Sequence, residues 1–277
     1  MWMSGVLLSF IAMAVSIRAL GKTLNVFEIL TIRNFAGVAF LAALAVAQPR
    51  LRLQLTLARI RLHLVRNAFN FAGQCSWALG ITLLPFATVF ALEFTTPAWV
   101  ALFAVFVLGE RLTAGRIAAV VLGLCGVVMI ARPGLEGFRP ASLLVLGAAI
   151  AFAASIVATK KLTLSQTTFA ILFWMNAIQL PMNVIGSDPL FVLRLGAGDA
   201  LPVLGVAASG LSSHLCLTNA FRHGDATVVV PLDFFRLPLI ALIGFWFYGE
   251  ALDPMVFVGA GLIIAGVLWN LREAARQ

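Results

Sequence analysis

The run FATVFALEFTTPAWVALFAVFVLGE, from Phe86 to Glu110, decides how the rest of the chain reads. It is about one membrane span of apolar sequence. A carboxylate, Glu93, sits well inside it, with Thr95, Thr96 and Pro97 just after. A charged side chain in hydrocarbon costs at least ~2.5 kcal/mol, so it normally faces protein or water and marks function. The run also has a second copy. Shifted by 140 positions, Glu93 falls on Asp233, Gly109-Glu110 on Gly249-Glu250 and Gly126 on Gly266. Val89/Val229, Leu92/Leu232, Phe94/Phe234, Ala101/Ala241 and Leu122/Leu262 agree in the same ungapped register. The chain reads as two copies of one unit, each with an acid in mid-span.

The bulk numbers agree with a membrane protein. The chain has 277 residues, 62% hydrophobic and 11% charged, with a mean hydropathy of +1.04. A soluble globule is nearer half apolar and a quarter charged, so lipid is the expected solvent for most of the surface. The net charge is +8, but Lys and Arg cluster in short connections and form no continuous basic face, so nucleic acid is not an expected partner. Cys75, Cys125 and Cys216 each lie in an apolar run and lack metal-ligand spacing. Neither a metal nor a cofactor is expected. Met1 leads almost directly into an apolar run without a basic n-region, which reads as a retained first span.

Spans need about 20 apolar residues. Ten are expected, over 2–20, 26–47, 64–83, 86–108, 115–132, 141–159, 166–186, 200–219, 227–248 and 254–271. A cytoplasmic N-terminus puts twelve Lys and Arg on the inner side and six on the outer, which favours both termini inside. The segment Arg50 to Arg66 reads as a short amphipathic helix on the inner surface. Ten spans in two halves give five per half, an odd number, so the second copy enters the membrane upside down. Residues 1–136 form the first five-helix repeat and 137–277 the second. The expected fold is an all-α membrane protein of two inverted repeats around a central cavity, with the site near the midplane.

At this point the residues resemble a family. ALEFTTPAWVALFAVFVLGERL is similar to the fourth-span signature of the EamA type of the drug/metabolite transporter superfamily. FFRLPLIALIGFWFYGEALDPMVFVGAGLIIAGVLW is similar to its last two spans, and FEILTIRNFAG to its second, with Arg33 at the recurrent arginine. The resemblance covers nearly the whole chain. It implies alternating access on small metabolites such as amino acids, nucleosides, vitamins or drugs. One departure is Ala14, where many relatives carry a polar residue.

Glu93 and Asp233 lead the candidate site residues. Low dielectric and a second carboxylate both favour a proton on an acid, which suits one of the pair to carry protons or to counter a cationic solute. The alternative is structural: Asp233 and Arg236 are i,i+3 on one helix, and Glu93 pairs with Arg33. Arg236 suits a carboxylate or phosphate; Arg33 is a further candidate, closer to a span end, with the option of snorkelling to the interface. Pro97 and Pro238 follow the two acids by about a turn. Each removes a helix hydrogen bond and kinks the chain, and Thr96 is placed to satisfy the freed carbonyl of Glu93. Asn67, Asn70, Gln74 and Trp77 fall on one face of the third span, which suits either a cavity wall or helix–helix bonding. Trp174 and Asn176 in span seven and His214 in span eight complete the set.

There is no HExxH, no GxSxG and no phosphate loop, so no enzyme is expected. The expected function is secondary transport of a small solute across the inner membrane, with protons as a candidate coupling ion. The rival is a non-transporting scaffold or lipid-handling accessory. Monomer and homodimer both stay open.

Overall fold

The computed structural model describes residues 2–108, 114–131, 139–163, 165–223 and 236–275. Glu110 and Asp233 lie outside the described residues. The elements are α1 (Trp2–Leu20), α2 (Val26–Ala47), α3 (Pro49–Arg52), α4 (Ile60–Leu83), α5 (Phe86–Glu93) and α6 (Thr96–Leu108). There follow α7 (Ala114–Ala131), α8 (Ala141–Thr163), α9 (Thr168–Ile185), α10 (Ala200–His223), α11 (Arg236–Tyr248) and α12 (Pro254–Ala274). Among the described residues there is no strand. Among the described residues, five helical stretches are long and apolar enough to cross a membrane: Trp2–Leu20, Val26–Ala47, Ala141–Thr159, Thr168–Ile185 and Pro254–Glu273. The described parts of the other expected spans are helical, the fourth interrupted between Glu93 and Thr96; residues 227–235 of the ninth lie outside the described residues. Large apolar side chains such as Leu8, Phe35, Phe40, Trp246 and Phe247 face outward, a surface that suits lipid and not water.

Local chemistry sets several boundaries. Asn25 and Glu28 form a capping box at the start of α2: the Asn25 side chain accepts from Glu28 N at 3.0 Å and Glu28 Oε2 accepts from Asn25 N at 2.7 Å. Thr167 caps α9, and Asp253 caps α12 with Pro254 in its first turn. The connection from Arg50 to Arg66 differs from the expected surface helix. Only the four residues of α3 are helical there before α4 begins at Ile60. Arg59 has a φ of +64°, a conformation in which a non-glycine residue cannot continue a right-handed helix.

The chain divides into two compact units. Each draws on both halves of the sequence, so α4 and α8 contribute one part to each. The first comprises Met1–Phe71 and Ala158–Arg222. In it α2 packs along α9 through Gly37, where an added Cβ would lie 2.5 Å from Asn176 Oδ1. Ser9 on α1 and Ser212 on α10 share a hydrogen bond of 2.8 Å. Glu28 is fully buried. Its Oε1 accepts from Asp188 N at 3.3 Å and pairs with Arg194, fastening the α9–α10 connection to the start of α2.

The second unit comprises Ala72–Val157 and His223–Gln277. Its α7 and α12 meet backbone to backbone: a Cβ on Gly126 would lie 2.5 Å from Gly259 O. Small residues allow this approach where lipid supplies no hydrophobic drive. Gly249 takes φ +63° and ends α11, and Glu250 then accepts from Phe86 N at 2.8 Å, capping α5. That is a structural use for the second Gly-Glu pair.

Candidate functional site

In the second unit the fourth span is not one helix. It stops at Glu93, passes through Phe94 and Thr95, and resumes at Thr96. Pro97 sits in the first turn of α6, and lacking an N–H it cannot bond the Glu93 carbonyl four residues back. Two hydroxyls answer the freed acceptors. Thr95 Oγ1 donates to Leu92 O and Thr96 Oγ1 to Glu93 O, both at 2.7 Å. Broken spans of this kind are tolerated at membrane depth only where the backbone is satisfied by neighbours.

The break sets the Glu93 carboxylate beside Trp77 and Arg236. Trp77 Nε1 on α4 donates to Glu93 Oε2 at 2.8 Å. Arg236 Nη1, at the start of α11, lies 3.4 Å from Glu93 Oε1. The Arg236 guanidinium carbon sits 5.2 Å from the Phe90 ring centre and 5.4 Å from that of Phe94. The Trp77 ring meets Phe90 edge to face at 6.0 Å. Both charged side chains are withdrawn from solvent, 4% exposed for Arg236 and 13% for Glu93. Their mutual attraction and the ring faces offset the cost of that burial. Gln74 is buried one turn before Trp77. Pro238 falls within α11; its side chain and the whole of Asp233 lie outside the described residues. The arrangement presents a carboxylate, a guanidinium and flat aromatic faces together, a set able to hold a zwitterionic or aromatic solute.

The first unit holds a separate polar cluster. Gln179 Nε2 on α9 donates to Asn67 Oδ1 at 3.1 Å and to Asn70 Oδ1 at 2.9 Å on α4. Asn67 Oδ1 also accepts from Arg66 Nη1 at 3.0 Å, and Arg66 Nε donates to Thr159 Oγ1 at 3.0 Å. Asn176 donates to Leu172 O at 2.9 Å and packs on Gly37. Trp174 Nε1 donates to Thr56 O at 3.2 Å, and its ring lies 6.3 Å from that of His63. Arg33 is buried, its aliphatic stem against Gly210. The charges of Arg33 and Arg66 act on one another and on His214.

The sequence reading placed Arg66 in the inner connection and passed over His63. The signal was available: His63, Arg66, Asn67 and Asn70 share one face at helical spacing, and the polar stripe extends toward the N-terminus beyond Asn67.

Similar proteins agree in kind. The model of the EamA-like transporter family matches residues 1–132 and again 139–272. A riboflavin transporter of Rhizobium johnstonii is 32% identical over 218 residues, 78% of this chain and 71% of that protein. An S-adenosylmethionine uptake transporter of Rickettsia felis is 27% identical over 268 residues, 97% of this chain and 90% of that protein. A crystal structure of 18% identity matches with a TM-score of 0.61, covering 99% of this chain and 96% of that one, a likeness of fold alone. With two copies of the family domain and helices made for lipid, the chain belongs to the EamA-like transporter family: it is an all-α, multi-pass membrane transporter of small metabolites, not an enzyme.

Proposed function

We propose that the chain carries a small aromatic or zwitterionic metabolite across the inner membrane by alternating access, with Glu93 and Arg236 at the solute site. The observation that supports this most is the buried Glu93–Arg236 pair, set at a break in a span and flanked by Phe90, Phe94 and Trp77. An intramembrane charge pair beside satisfied but non-helical backbone is how carriers build ion and solute sites. The two repeats, 1–136 and 137–277, run in opposite senses with both termini in the cytoplasm. Gln74 in the second unit, and separately Asn67, Asn70, Asn176, Arg33, Trp174 and His214 in the first, are further polar and aromatic candidates for solute contact. Asp233, the repeat partner of Glu93, is the second acid. The relatives named for riboflavin and S-adenosylmethionine point to a flat heteroaromatic solute.

Proton coupling through Glu93 competes with a second reading. A carboxylate already paired with Arg236 is poorly suited to take a proton and well suited to bind a cationic group. Uptake of riboflavin and of S-adenosylmethionine into proteoliposomes, with and without a pH gradient, separates the two. Coupling predicts uptake driven by the gradient and a loss of that response in Glu93→Gln. The ligand role predicts uptake indifferent to the gradient and weakened binding in the same variant. Full transport with unchanged affinity in Glu93→Gln and Asp233→Asn refutes both.

A further inference from the structure

The surroundings of Arg66 are unusual for a charge that a protein cannot neutralise by deprotonation. The side chain is 5% exposed. Its hydrogen bonds go to two neutral acceptors, Thr159 Oγ1 and Asn67 Oδ1, and among the described residues no carboxylate pairs with it. The nearby charge that acts on it is another cation, Arg33. The start of α4 carries Arg61, His63 and Arg66 with no acid in its first turn, although the free N–H groups of a helix start favour an anion. Beside Arg66, buried His63 has no hydrogen-bond partner at either ring nitrogen among the described residues, and Gln179 Oε1 has none among them either.

Arg66 Nε reaches Thr159, the last residue of the apolar stretch Ala141–Thr159, so the cluster lies toward that end of α8. The Phe27 and Phe71 rings meet at 6.3 Å, which sets one level shared by α2 and α4. Arg33 lies six residues beyond Phe27, and Arg66 lies five before Phe71 on a helix running the other way. At 1.5 Å per residue both arginines sit about 8–9 Å along from that level. Both arginines lie within the helical length of α2 and α4.

We infer that Arg66, with Arg33 and His63, binds the oxyanion of a small solute, a carboxylate or a phosphate. The inference rests on reading the chain as a carrier, and it narrows the solute to one bearing such a group. Guanidinium forks match the paired oxygens of either anion, and the His63 ring offers one further donor.

The test uses the purified full-length protein in detergent, with acetate and inorganic phosphate as probes and chloride at matched ionic strength as control. The expected result is a saturable rise in melting temperature with acetate or phosphate and none with chloride. Arg66→Gln should weaken the apparent affinity at least about tenfold, and Arg66→Lys should weaken it less. The stronger of the two anions assigns carboxylate or phosphate. Wild-type protein that neither anion stabilises beyond chloride overturns the inference without any variant. An Arg66→Gln protein that keeps the wild-type response overturns it too. Anion stabilisation in a protein that moves no solute would count against the carrier reading and leave the anion site standing. Transport of a neutral solute without anion stabilisation would do the reverse.

Discussion

Replacing Glu93 by Gln exchanges a carboxylate oxygen for an amide and leaves the shape of the side chain intact. The Gln oxygen still accepts from Trp77 Nε1, now 2.8 Å from Glu93 Oε2, so the loss falls on the contact with Arg236 at 3.4 Å. At an effective dielectric of ~20 two unit charges at that separation attract by about 5 kcal/mol. Removing one partner of a buried pair typically costs about 3–5 kcal/mol. Here the Phe90 and Phe94 faces go on stabilising the Arg236 charge by about 1–2 kcal/mol, so Glu93→Gln should lose about 2–3 kcal/mol. Arg236→Gln should lose a similar amount by stranding Glu93. The double variant should lose little more than either single one, leaving a coupling of about 2 kcal/mol. Unfolding of the four proteins in mixed micelles measures the cycle. Losses that add to within about 0.5 kcal/mol would refute the pair as an energetic unit.

Three further outcomes follow from single contacts. Trp77→Phe keeps a ring against Phe90 and removes the donor to Glu93, so stability should fall by about 1.5 kcal/mol; an unchanged unfolding midpoint would show that the bond contributes nothing. Gly259→Ala puts a methyl 2.8 Å from Gly126 O and 2.6 Å from Ile130 Cγ1, which should cost about 1–3 kcal/mol, with Gly261→Ala, in open space on the same helix, as the neutral control. Glu28→Gln removes the charge that holds Arg194. Limited proteolysis should then cut the 186–199 connection faster than in wild type, and equal rates would remove the latch from the account.

Much of the architecture could be read from the chain because its cues are local. Apolar runs give the helices, and Asn25 with Glu28 or Asp253 with Pro254 give their starts. Pro97 shows where a helix must lose a bond, and the adjacent threonines are placed to replace it. The site was harder, because its partners are distant in sequence. Spacing offered Asp233 to Arg236, three residues apart, and Asp233 lies outside the described residues; among the described residues Arg236 also meets Glu93, which no periodicity connects to it. Gln179 reaches Asn67 and Asn70 by the same kind of long-range contact. Arg66 was misplaced for another reason. Counting charges per connection treats every arginine near a span end as a loop residue, but α4 starts four residues earlier than the apolar run, which puts Arg66 nearly two turns inside the helix.

The claim that this chain is an alternating-access carrier is tested most directly by counterflow. Proteoliposomes are loaded with unlabelled riboflavin or S-adenosylmethionine and diluted into a trace of the labelled compound. A carrier whose site faces one side at a time predicts a transient accumulation of label above equilibrium for its solute, abolished by Arg236→Gln. Label that only approaches equilibrium, as it does in protein-free vesicles, for both compounds and for every solute that stabilises the purified protein, would contradict the account.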